Sequence, residues 1–124
     1  MKTAIQFGGG NIGRGFIGAV LSQAGYRVVF ADVNQELLDR INKDGKYCVH
    51  VMDVEQKNIE ISNICAVNSG SQEVVDEIVN AEMITTAVGV RILRFVAPAI
   101  AKGIAARKAA GVEAPLNIVA CENA

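Results

Sequence analysis

The chain has 124 residues, of which 51% are hydrophobic and 20% charged, with a formal net charge of -1. That length suits one domain with a real core, since such chains bury roughly two thirds of their unfolded surface, and a second, substrate-binding domain does not fit. The even charge balance gives no basis for a nucleic-acid or anionic-membrane partner.

No secretory signal is legible, because the early apolar run is broken by Gln6, Asn11 and Arg14. No membrane span is expected either: the apolar stretch from Phe95 to Ala106 is short and holds Lys102. The cysteines, Cys48, Cys65 and Cys121, are far apart and odd in number, so reduced thiols in a cytoplasmic protein and no metal site are expected. His50, the one histidine, alternates with Val49 and Val51 in a strand-like run, where an edge or surface role is expected rather than catalysis.

Taken in order, Thr3 to Phe7 reads as a strand, followed by Gly8-Gly9-Gly10-Asn11-Ile12-Gly13 and a helical pattern from Asn11 to Ala24. Ile12, Phe16, Ile17, Val20 and Leu21 form its apolar face, and Gly25 stops it. Gly15 and Gly18 would each cost about 1 kcal/mol relative to alanine as plain helix positions, which suggests close contact with sheet or ligand. Arg14, the first long side chain after the third glycine, reads equally as a phosphate contact or as a solvated arginine.

A second strand from Tyr26 ends at Asp32, and Asn34 caps a helix over Gln35 to Asn42 with Leu37, Leu38 and Ile41 inward. Residues 47 to 52 and 57 to 62 alternate with the strand period around a polar connection, which predicts an antiparallel hairpin beside the main sheet. Asn63 to Val67 is a third apolar strand. Ser69 to Ser71 caps a helix with Val74, Val75, Ile78 and Val79 at helical spacing, and Glu73, Asp76 and Glu77 are expected on its solvated face.

Glu82 to Thr86 is the fourth strand, with Ala87-Val88-Gly89 as its exit. A long helix from about Val90 to Ala109 carries Pro98, which predicts a kink or break near Phe95 to Ala97. Arg91 and Arg94 are expected at the surface, and Arg107 and Lys108 near the helix end, where its dipole favours cations. Leu116 to Cys121 is a fifth strand, followed by Glu122-Asn123-Ala124.

The alternation of strands and helices predicts an α/β fold: a Rossmann-type, doubly wound, mainly parallel sheet with a small hairpin insertion, ordered 3-2-1-4-5 over residues 1–124. In that fold each part of the first unit has a physical task. Gly8 permits a sharp turn, Gly10 lets a pyrophosphate approach main-chain N–H groups, and Gly13 lets the helix pack close to the sheet. The helix start, with Asn11 and Ile12, offers unpaired N–H donors to phosphate. Asp32, nineteen residues after Gly13, is placed to take the ribose hydroxyls of NAD. The same carboxylate repels the 2′-phosphate of NADP, and neither Val33 nor Asn34 is a cation that would receive it. Thr86, Ala87, Val88 and Gly89 leave the sheet where strand order reverses, a position suited to the flat side of a nucleotide.

Together Phe7-Gly-Gly-Gly-Asn-Ile-Gly-Arg-Gly-Phe-Ile-Gly18, Phe30-Ala-Asp-Val-Asn34, Thr85-Thr-Ala-Val-Gly89, Ala97-Pro-Ala-Ile-Ala-Lys102 and Pro115-Leu-Asn-Ile-Val-Ala-Cys-Glu-Asn123 resemble the long-chain polyol dehydrogenases over nearly the whole chain. Asn-Ile-Gly-Arg in the first turn, where the mannitol 2-dehydrogenases and hexuronate reductases carry Ala-Phe-His-Arg, is similar to the mannitol-1-phosphate 5-dehydrogenase branch. The resemblance implies hydride exchange between NAD and a sugar-phosphate substrate, interconverting mannitol 1-phosphate and fructose 6-phosphate. It also implies a substrate-holding asparagine at Asn123 and a general-base lysine in a further, C-terminal catalytic domain. Lys102, in the helix before the fifth strand, does not match that lysine. A fragment that is inactive alone is therefore expected. Two alternatives are a regulatory NAD(H)-binding module and a related hexitol or hexuronate dehydrogenase. An uncovered fifth strand argues against the module.

Overall fold

The computed structural model describes residues 2–8, 17–51 and 57–120. Its centre is a parallel sheet in the order β5-β2-β1-β6-β7, formed by β1 (Thr3–Phe7), β2 (Arg27–Asp32), β5 (Ile64–Asn68), β6 (Ala81–Thr86) and β7 (Asn117–Ala120). This is the expected 3-2-1-4-5 arrangement. The hairpin of β3 (Tyr47–Val51) and β4 (Lys57–Ile61) is antiparallel and forms a sheet of its own.

The central strands are apolar without alternation because both faces are covered. On one face Ala4, Val28, Phe30 and Ala66 meet Leu21 of α1 (Gly18–Gln23) and Leu38 and Ile41 of α2 (Gln35–Asp44), with Ile61 closing the hairpin side. On the other, Ile5, Phe7, Val29 and Ile84 meet Val74 and Ile78 of α3 (Gln72–Asn80) and Val96 of α4 (Val90–Ala109). Neighbouring residues thus belong to different cores: Val28 and Phe30 face α1 and α2, Val29 and Ala31 face α3 and α4.

The ends of the elements are fixed locally. Asn34 caps α2 by accepting from Leu37 N at 3.2 Å, and Gly45 closes it in the left-handed conformation. The edge of β5 is blunted by Asn42, whose amide exchanges two 2.8 Å hydrogen bonds with the Ala66 backbone in place of a neighbouring strand. Ser71 stands at the start of α3, but its hydroxyl donates back to Asn68 O rather than capping the helix.

Several expectations are corrected. Val20, assigned to the buried face of the first helix, is 52% exposed. Glu77 is not simply solvated: it accepts both arms of the Arg27 guanidinium at 2.9 Å across the end of the sheet. That pairing holds the Arg27 pKa above its ordinary value. Cys65 lies beside the same guanidinium, and burial pushes its thiol upward, so little thiolate forms near neutrality. Of the kink or break expected near Pro98, the break does not occur: α4 is one continuous helix of 20 residues. The first helix is described only from Ile17 onward, and residues 52–56 of the hairpin connection also lie outside the described residues.

Arg107 departs furthest from its expected place. Instead of balancing a helix dipole in solvent it is 6% exposed, and its guanidinium donates to Ile78 O, Val79 O, Ala81 O and Ala114 O at 2.6–3.1 Å. It therefore receives the orphan carbonyls where α3 ends and ties them to the loop before β7. Arg107→Met should cost about 3 kcal/mol in urea unfolding, because carbonyls that fold around a cation are left unpaired. Arg107→Lys should recover little, since an ammonium lacks the planar fork.

Gly103 explains how the same two helices approach. A Cβ there would meet Ile78 Cγ2 at 2.4 Å and Ile78 Cβ at 2.6 Å, so α4 crosses α3 where only hydrogen fits. Gly103→Ala gains helix propensity yet should destabilise by about 1–3 kcal/mol through overpacking, read as a lower urea midpoint.

Candidate functional site at the strand exits

Three strands deliver their last residues to one place, because β1 lies between β2 and β6 and the chain runs the same way in all of them. Gly8 N donates to Ala31 O at 2.8 Å, and Ala87 N donates to Phe7 O at 2.9 Å. The exit of β1 is thus stitched to both neighbours. Gly8 has φ of 101°, and a Cβ on it would stand 2.5 Å from Ala87 O, so the turn requires glycine for conformation and for space.

Between these exits lies a cavity of about 290 Å³. Gly8, Asp32, Ser69 and Ala87 line it, with Val33, Val88 and Ile92 among its apolar walls. Asp32 closes its own turn: Oδ1 accepts from Val33 N at 2.7 Å and Asn34 N at 3.0 Å. Its carbonyl accepts Ser69 N at 3.0 Å, which draws the exit of β5 against that of β2. An apolar slot with one carboxylate at its rim fits a flat heterocycle carrying vicinal hydroxyls, the chemistry of a nucleoside.

Of the expected site residues, Gly8, Asp32, Ala87 and Val88 come together around this cavity. Thr86, the last residue of β6, does not line it and is 2% exposed, with its hydroxyl unpartnered among the described residues. Gly89 instead begins α4, accepting Ile92 N and Leu93 N. Gly10, Asn11, Ile12, Gly13, Arg14 and Asn123 lie outside the described residues. His50 lies in β3, on the hairpin rather than the main sheet. Among the described residues no group of acidic, histidine or cysteine side chains could hold a metal, and no helix is long and apolar enough to cross a membrane.

Val33, Ser69 and Ile92, which the sequence does not assign to a site, also line the cavity. Their signal was positional: each follows a strand end or opens the helix after one, and such positions line the crevice in a doubly wound sheet. Gln6, legible in the sequence only as a break in the apolar run, is the one amide side chain in the strand Thr-Ala-Ile-Gln-Phe.

A family model described as the mannitol dehydrogenase Rossmann domain matches residues 2–124. The chain belongs to the mannitol dehydrogenase family. A Rossmann domain of this family implies an oxidoreductase with a nucleotide cofactor, and in a doubly wound sheet ligands bind in the crevice outside the strand ends. The resemblance to polyol dehydrogenases seen in the motifs is therefore correct at the level of the family.

Proposed function

We propose that this domain binds NAD, with its adenosine half in the cavity at the exits of β1, β2 and β6, and serves a dehydrogenase that interconverts mannitol 1-phosphate and fructose 6-phosphate. The observation that carries the cofactor assignment is Asp32 at the rim of an apolar slot beside a glycine that admits no side chain. A carboxylate accepts two hydroxyls of an unmodified ribose and opposes a 2′-phosphate, and the next two residues, Val33 and Asn34, bring no positive charge.

Gly8, Gly10 and Gly13 are assigned to the pyrophosphate turn, with N–H groups of Asn11 and Ile12 as donors. Ala87 and Val88 hold the cofactor against the sheet exit. Nicotinamide, when bound, supplies the hydride acceptor. This chain orients it, and Asn123 is assigned to hold the substrate oxygen as charge develops on it. The base that takes the hydroxyl proton is assigned to a further domain, on the strength of the polyol dehydrogenase resemblance. The phosphorylated substrate rests on Asn-Ile-Gly-Arg in the first turn.

Activity should appear only when this domain is joined to its catalytic partner domain. The joined polypeptide should reduce NAD with mannitol 1-phosphate and oxidise NADH with fructose 6-phosphate, followed by NADH absorbance. The 124-residue chain should do neither. Faster turnover with unphosphorylated mannitol or a hexuronate would overturn the substrate assignment.

A further inference from the structure

We propose that Gln6 is a positioning residue for the exit of β1: its amide holds the Gly8 carbonyl within the protein and so keeps it from being directed at the pyrophosphate of the cofactor. The proposal rests on the NAD reading above and adds the element that shapes the turn.

Gln6 is wholly buried in β1, between Phe30 of β2 and Thr85 of β6. A buried carboxamide persists in a sheet core only when its polar atoms are used. Here Nε2 donates to Phe7 O at 3.0 Å and to Gly8 O at 3.3 Å, while the Thr85 hydroxyl donates to Oε1. The network is consistent in sense, with two carbonyls facing the amide nitrogen and a hydroxyl facing its oxygen.

Both main-chain polar groups of Gly8 are thereby committed to the protein. Its N–H is held by Ala31 O at 2.8 Å and its carbonyl by Gln6. This matters because the glycine conformation alone leaves the peptide after Gly8 free to rotate. A carbonyl directed at a diphosphate would repel it, whereas one held by a buried amide cannot. Leucine or valine at position 6 would fill the core equally well and leave that carbonyl undirected. Thr85 fixes the amide from β6, so the tether also couples the turn to the strand whose exit lines the cavity.

The test is the double variant Gln6→Leu/Thr85→Val, which replaces the whole network by an apolar pair and avoids an orphaned hydroxyl. NAD and adenosine are titrated against the wild-type and variant chains by NMR. Adenosine fills the slot at Asp32 but lacks the pyrophosphate that a misdirected Gly8 carbonyl would repel. The expected result is about a tenfold loss of NAD affinity, the size of one net hydrogen bond, with adenosine affinity changed less than about twofold. Equal losses for both ligands, or no loss for NAD, would overturn the proposal. A ligand-free readout accompanies it: the Gly8 carbonyl carbon resonance should shift in the variant. An unchanged resonance overturns the tether even if NAD binds, while failure of the wild-type chain to bind NAD overturns the cofactor reading and with it the role given to Gln6.

Discussion

Asp32→Ala is expected to lower NAD affinity by roughly 10- to 100-fold and to remove the preference for NAD over NADP, measured by parallel calorimetric titrations. The size follows from hydrogen bonds to a charged acceptor, worth about 1.5–3 kcal/mol. The change in preference has a separate cause: without the carboxylate, nothing at the exit of β2 repels a 2′-phosphate. Asp32 also accepts from Val33 N and Asn34 N, so alanine relaxes the turn as well. Asp32→Asn separates the two effects. It retains an acceptor for the turn but loses the charge, so it should keep the fold of the turn while still equalising the two nucleotides. A variant that weakens NAD and NADP by the same factor would mean that Asp32 acts only on its own turn.

Gly8→Ala is expected to have the largest effect of any single methyl in the domain. Alanine at φ of 101° is strained wherever it occurs, and this one would also press its Cβ to 2.5 Å from Ala87 O. The carbonyl cannot simply withdraw, since the Ala87 N–H is bonded to Phe7 O in the same stitch. Strain and clash together should cost about 3–5 kcal/mol, a large part of the 5–15 kcal/mol that holds a domain of this kind together. Urea unfolding should show the loss, and NAD binding should fall below detection because the turn and the wall of the cavity move together. Gly25→Ala is the control: its φ of 91° is also positive, but a Cβ there meets nothing within 4 Å, so it should cost stability without affecting the nucleotide.

The parts of the fold legible in the sequence are those set by short-range chemistry. The strand order was readable because strands and helices alternate and the apolar runs of β1 and β2 allow burial on both faces. Asn34 and Gly25 marked helix boundaries by their own side-chain and backbone properties. The hairpin was legible from period-2 alternation around polar residues. What stayed hidden depended on partners far along the chain. Arg107 looks like any helix-end cation until the end of α3 is seen to deliver three carbonyls to it. Glu77 looks solvated until Arg27, fifty positions earlier, reaches it across the sheet. Pro98 satisfies the rule for a break, yet α4 runs through it, held against α3 at Gly103.

The convergence of Gly8, Asp32, Ala87 and Val88 on one cavity was readable because strand-exit positions of this topology lie together by construction. Val33, Ser69 and Ile92 complete the same wall but have side chains that carry no chemical signal by themselves. Gln6 carried one, as a lone amide in an apolar strand, although its partners could not be named without the register that sets it beside Thr85.

The central claim is that the cavity at the strand exits holds the adenosine half of NAD, and a titration of the isotope-labelled chain with NAD, followed residue by residue in amide correlation spectra, tests it most directly. The expected result is saturable shifts concentrated at Gly8, Asp32, Val33, Ser69, Val88 and Ile92, with smaller ones for NADP at the same concentration. Shifts confined instead to a separate cavity between α3 and α4, lined by Gln72, Phe95 and Lys102, or no shifts at all, would contradict it.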